Sequence, residues 1–164
     1  MSNLVKLNIP EIHSLNGYLE AMGDFIIGTN YITWFEASGF ESTDSEFSAN
    51  NLIKAAYPNS QPEKGRFIEV SVEQMVEYVN KSLSLPDSLY GRGGLAAVLE
   101  KNVASSFWGH LKACIDSEKA KIVFYEPGFD VGDELYNSIL WGFTYLIYDE
   151  EQSRCVIIHG GASD

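Results

Sequence analysis

The stretch WGFTYLIYDEEQSRCVIIH, Trp141 to His159, decides the fold. Trp141, Phe143, Tyr145 and Ile147 alternate with Gly142, Thr144, Leu146 and Tyr148, and Leu140 joins the second set. A strand has a side-chain period of two, so this segment is extended. Because both of its faces are largely apolar, it belongs inside a sheet that is covered on both sides. The acidic turn DEEQS then returns the chain into RCVIIH. Two apolar runs joined by about five polar residues make a hairpin, expected to be the spine of an antiparallel sheet.

Working outward, KIVFY (Lys121 to Tyr125) and GRFIEV (Gly65 to Val70) read as further strands, and VKLNIP as an edge strand that ends at Pro10. Between them the period changes to that of a helix. Ile12, Leu15, Leu19 and Met22 share a face in a helix that Gly23 can end. SEFSANNLIKAAYP holds a short helix that must stop before Pro58, and the turn-rich YPNSQPEKG follows it. Ser71 and Gln74 form a capping box for a helix whose apolar face is Val72, Met75, Val76, Val79 and Leu83, with Glu77 and Lys81 as an i,i+4 pair.

From Leu95 to Asp116 the apolar stripe changes direction: Leu95, Val98, Leu99 and Val103 lie more than a right angle from Phe107, Trp108, Leu111, Cys114 and Ile115. Two helices broken at Ser105 and Ser106, or one bent helix, would account for this. FIIGTNYITWF, Phe25 to Phe35, is one long strand or a hairpin turning at Gly28, Thr29 and Asn30, and an acidic loop is expected after it. Strands at both ends with about five helices between them make a single α+β domain of 164 residues, its sheet mainly antiparallel.

Apolar residues are 45% of the chain, enough for a core, and no run approaches the roughly 20 apolar residues of a membrane span. The first residues lack a basic region followed by an apolar signal core, so a cytoplasmic location is expected and no membrane partner. The net charge of -12 is carried by the two ends: -6 up to Ile53, +1 from Lys54 to Lys121, and -7 from Ile122 onward. A field of that sign repels phosphates, which disfavours nucleic acid and favours a basic protein, although solubility alone would explain it equally well.

YGRGGLAAVLEK, Tyr90 to Lys101, places three glycines before a helix, but no Lys-Ser or Lys-Thr follows and no strand precedes them. The glycines are therefore read as the lead-in to a helix and not as a phosphate cradle. His110 and Cys114 share a helical face and make half a metal site at most, so neither a metal nor a cofactor is expected. Cys114 and Cys155 sit among apolar residues as packed free thiols. No GxSxG or HExxH motif occurs, the acids of YEPGFDVGDELYN miss the spacing of a calcium loop, and no pair of carboxylates stands apart from the rest, so the chain is not expected to be an enzyme.

What remains is acid interleaved with aromatic rings. Glu126, Asp130, Asp133 and Glu134 surround Phe129 and Tyr136; Asp149, Glu150 and Glu151 fill the hairpin turn; Glu41, Asp44 and Glu46 lie among Phe35, Phe40 and Phe47. Apolar anchors ringed by carboxylates are the composition of a surface that docks a basic protein, and these residues are the candidate partner-binding set. In size, acidity, aromatic-acid loops and the hairpin WGFTYLIYDEEQSRCVIIHGG the chain resembles the bacterial immunity proteins of contact-dependent growth inhibition. The resemblance implies a cognate toxin domain, basic and possibly a nuclease, neutralised by stoichiometric binding. The alternatives are a small enzyme, or an acidic DNA mimic that inhibits a nucleic-acid-binding protein.

Overall fold

The computed structural model describes residues 4–26, 32–42, 47–83, 95–116, 118–128, 133–135 and 141–163. Six strands form one antiparallel sheet in the order β1-β2-β6-β5-β4-β3. They are β1 (Leu4–Lys6), β2 (Ile32–Ser42), β3 (Arg66–Val70), β4 (Lys121–Glu126), β5 (Trp141–Asp149) and β6 (Arg154–Ser163). The helices among the described residues are α1 (Pro10–Ile26), α2 (Ala49–Ala56), α3 (Val72–Leu83) and α4 (Leu95–Cys114), with a 3-10 turn at Pro62–Lys64. This is an α+β domain.

The β5–β6 hairpin is the middle of the sheet, paired from Trp141↔Ala162 to Asp149↔Arg154. Its alternation sorts the core in two. Phe143, Tyr145, Ile147, Val156 and Ile158 pack with residues of α1, α3 and α4, while Leu146, Tyr148, Cys155 and Ile157 pack with Leu52 and Ile53 of α2. In the turn, Asp149 Oδ1 accepts the Gln152 N–H at 3.0 Å, and Ser153 adopts a φ of 50° that closes the return. The outer strands are protected from further pairing: β1 is three residues long, and β3 carries Arg66 and Glu69 in ion pairs with Glu126 and Lys121 of β4.

Where the local signals were strong, the elements follow them. Ser71 and Gln74 make the reciprocal capping box, Gln74 N–H to Ser71 Oγ at 3.2 Å and Ser71 N–H to Gln74 Oε1 at 2.9 Å. Ser48 caps α2, which ends before Pro58. Two expectations are corrected. Phe25 and Ile26 end α1 instead of opening a strand; the sheet-facing contacts of Ile12, Leu15 and Leu19 outweigh the roughly 1 kcal/mol penalty of Gly23 inside a helix. The stretch after Phe35, expected to be an acidic loop, is β2 as far as Ser42, because β6 pairs with it from Ile32 to Glu41 and tertiary pairing overrides the weak strand propensity of Ser38 and Gly39. Of the two readings left open for Leu95 to Asp116, the structure has the single helix, and Ser105 donates its hydroxyl back to the Asn102 carbonyl at 3.1 Å instead of capping a second segment. The turn at Gly28 to Asn30 and the glycines Gly91 to Gly94 lie outside the described residues.

β1 covers only Phe40 to Ser42 of its neighbour. Farther along β2, Asn16 of α1 takes both backbone groups of Ala37: its amide donates to the carbonyl and its oxygen accepts the N–H, each at 2.7 Å. One side chain thus does the work of a missing strand. Gly17, the next residue, has open space where a Cβ would stand. Adjacent substitutions should therefore have opposite effects. Asn16→Ala leaves two backbone groups unpaired and should cost about 2 kcal/mol, whereas Gly17→Ala should add about 0.5–1 kcal/mol, both read from urea unfolding midpoints at constant slope.

Candidate functional site

Those of the predicted partner-binding residues that the structure describes lie at the two ends of the sheet. Glu41 pairs with Arg154 at 3.1 Å, beside the turn that exposes Glu150 and Glu151. Asp149 belongs to that turn but is buried, its carboxylate spent on Gln152. At the far end Glu126 pairs with Arg66, and Asp133 and Glu134 hold the Asn59–Gln61 segment. Asp133 is only 2% exposed and accepts N–H bonds from Gln61 at 3.0 Å and Leu135 at 2.9 Å. Asp133 and Asp149 therefore fix loops and are not open to a docking partner. Phe129, Asp130, Tyr136, Asp44 and Glu46 lie outside the described residues. Five residues of β6, about 17 Å, separate Arg154 from His159, so the two ends are distinct surfaces.

The far end holds a cavity of 310 Å³, lined among the described residues by Trp34, Glu36, Tyr57, Glu134, Leu135 and His159. Strand geometry brings the first two together, since Trp34 and Glu36 are two apart on β2 and share a face, and Glu36 stands opposite His159 in the β2–β6 register. Pro58 sets one wall of the space: it stops α2 after eight residues, and Tyr57, the residue that caps that helix, turns its ring edge-on to His159 at 5.4 Å between centroids. The loop-based reading of the sequence finds only Glu134 of this set. Trp34, Glu36 and Tyr57 could have been found from the alternation of YITWFEASGF and the helix stop at Tyr57-Pro58, had β2 been read to its full length.

His159 organises the floor. The Trp34 indole N–H donates to its Nε2 at 3.0 Å. An indole can only donate, so Nε2 is the acceptor and the ring proton is on Nδ1, which faces the Phe143 carbonyl at 3.1 Å and Thr144 Oγ1 at 2.9 Å. The imidazole is thus held neutral with both nitrogens occupied, and burial lowers its pKa to about 4. A histidine held this way positions a tryptophan and has no free nitrogen for proton transfer. Burial, followed by the Glu36 and Glu134 carboxylates, raises the Tyr57 hydroxyl well above the ordinary phenol range. That hydroxyl makes no hydrogen bond of ordinary geometry; Glu36 acts on it as a nearby charge and a loose acceptor.

Of the other candidate groups, the two cysteines are built into the core and His110 is half-buried at its margin. Cys114 and Cys155 are buried free thiols; burial raises Cys114 to about 11 and Cys155 beyond it. His110 meets the Ser14 hydroxyl and lies against the Tyr18 ring, 4.9 Å between centroids. Among the described residues no three of His, Cys, Asp and Glu converge as metal ligands would, and no helix is long and apolar enough to cross a membrane.

Two crystal structures of citrus MAF1, in different space groups, are similar to this chain. One has a TM-score of 0.59 at 10% identity over 92% of this chain and 97% of its own. The other has a TM-score of 0.57 at 14% identity over 93% and 98%. The likeness is one of fold alone. No family model matches the sequence, and no curated protein is a significant match.

The lowered pKa of His159 makes this site sensitive to acid. Above about pH 6.5 the ring is neutral in both the folded and the unfolded chain, and its full contribution to stability is present. As pH falls towards 4, the unfolded chain takes up a proton that the folded site refuses, so stability is lost, by about 2 kcal/mol at about pH 4.5. His159→Gln, which can still accept from Trp34 and donate to Phe143, lacks this titration. The stability gap between the wild type and the variant should shift by that amount between about pH 7.5 and pH 4.5 in urea unfolding. An unchanged gap would remove the neutral-histidine account.

Proposed function

We propose that the chain is a stoichiometric binding protein for a basic protein partner, and that it acts as an immunity protein that neutralises a cognate toxin domain, a nuclease being the favoured kind, in the cytoplasm. The observation that carries this reading is the pocket in which the Trp34, Tyr57 and His159 rings stand beside the Glu36 and Glu134 carboxylates, on a chain of net charge -12. Aromatic side chains supply contact area at low entropic cost, and carboxylates at the margin attract cations. The two exposed acids of the hairpin turn, Glu150 and Glu151, extend the same field from the other end of the sheet.

Binding then divides into two physical stages. Long-range attraction raises the association rate towards ~10⁸ M⁻¹s⁻¹ at low salt, and burial of partner groups against the rings sets the rate of release. His159 keeps the Trp34 indole in place before any partner arrives, so less side-chain entropy is lost on docking.

The test is recovery of the tagged chain, with whatever it holds, from its native cell. A one-to-one complex with a basic protein is expected. That protein should harm a sensitive cell when expressed alone and be harmless when this chain is co-expressed. The association rate of the purified pair should fall at least ~10-fold from low to high salt. A neutral or acidic partner, an association rate that ignores salt, or failure to protect the sensitive cell would each reject the proposal.

A further inference from the structure

We infer that the Trp34–Tyr57–His159 pocket is a receptor for a guanidinium group, and that the basic partner presents an arginine side chain to it; the identity of that occupant rests on the binding role proposed above. The argument starts from which hydrogen-bonding groups of the pocket are already spent. The Trp34 N–H is committed to His159 Nε2, and His159 Nδ1 to Phe143 and Thr144. The Trp34 and His159 rings therefore offer π faces and edges but no free donor. What lines the space is acceptor chemistry: the Glu36 carboxylate and the Glu134 carboxylate, one oxygen of which takes the Asn59 N–H at 3.0 Å, with the Tyr57 hydroxyl buried close to both. The Tyr57 hydroxyl is the second and independent sign of a ligand. Its residue is 5% exposed, lines the cavity, and leaves its oxygen buried without a hydrogen bond of ordinary geometry. Buried polar atoms are seldom left so, and an N–H donor entering the cavity would satisfy this one.

The occupant must then be cationic, rich in N–H donors and able to lie against an aromatic ring. Guanidinium meets all three conditions: it is planar, always charged, carries five donors and stacks on indole. An ammonium is a compact, strongly hydrated charge with three donors and no flat face, and fits less well. Phosphate and carboxylate groups are repelled by the two glutamates. The 310 Å³ volume accommodates an arginine side chain with part of its backbone, within the usual span of ligand pockets.

The test uses N-acetyl-L-arginine methyl ester, which carries the guanidinium without a carboxylate, beside the lysine and citrulline esters. The readout is the Trp34 indole N–H resonance, assigned by its loss in Trp34→Phe. The arginine ester should shift that resonance saturably and bind ~10-fold more tightly than the lysine ester. The citrulline ester, of nearly the same shape but neutral, should leave it in place. Glu36→Gln, at an exposed strand position that does not endanger the fold, should weaken arginine binding ~10-fold. No saturable shift, equal binding of lysine, or equal binding of citrulline overturns the inference. Capture of the basic partner is measured in the same variants. If the complex forms and Glu36→Gln leaves its affinity unchanged, the pocket assignment fails while the binding role stands. If arginine ester binds and no basic partner is found, the binding role fails while the pocket assignment stands.

Discussion

Everything in this structure depends on a hairpin that is apolar on both faces. From Phe143 to Tyr148 and from Cys155 to Ile158 the side chains are buried on either side of the sheet, so the β5–β6 pair cannot remain folded with one face in water. The chain meets that demand unequally. One face receives α1, α3 and α4. The other receives α2, eight residues long, together with a 3-10 turn and the loops that Asp133 and Glu134 pin in place. Where Pro58 ends the helix, cover among the described residues passes to the Asn59–Gln61 segment, the 3-10 turn and Leu135. The cavity lies at that change of cover, which is why a packing constraint and a candidate binding site meet at Tyr57.

The polar atoms at this cavity are tied to one another across the sheet. His159 takes the one polar atom of Trp34, so the indole is held by a specific bond as well as by contact. The histidine is in turn fixed from behind by Phe143 and Thr144 across the β5–β6 ladder, where Thr144 is its direct partner in register. Glu36, opposite His159 on the other strand, puts a carboxylate at the mouth. The cavity therefore has a floor held by hydrogen bonds and a charged margin.

How much of this could be read from the sequence follows from how local each signal is. The hairpin, the capping box of Ser71 and Gln74 and the stop at Pro58 are set by residues within a few positions of one another, and all are present. The boundary between α1 and β2 is different. Phe25 and Ile26 suit a strand by propensity, and only their place at the end of a helix packed along the sheet decides otherwise. The β2 extension through Ser38 and Gly39 depends on β6, more than a hundred residues away. The same limit governs the site. Asp133 and Glu134 are neighbours of identical charge, yet one is buried under two N–H bonds and the other is exposed, a distinction made by the path of Asn59 to Gln61. Trp34 and His159 become partners only once the register of β2 on β6 is known.

Acid content alone is therefore a poor guide to where a partner would sit. Of the carboxylates that composition brings forward, those at Asp133 and Asp149 are spent on backbone N–H groups, and those at Glu41 and Glu126 face arginines within the fold. An exposed ion pair of this kind is worth little to stability, about 1 kcal/mol at most, but it does cancel charge. What distinguishes Glu36 and Glu134 is their surroundings. They stand beside the Trp34 and His159 rings, whose own donors are consumed, and beside the buried Tyr57 hydroxyl, which lacks an ordinary hydrogen bond. A carboxylate gains leverage where water is displaced by low-dielectric neighbours, because a cation drawn there interacts with it more strongly than at the open surface. In this chain the net charge sets the long-range field, whereas the choice of where a cation would bind belongs to a histidine that carries no charge at all.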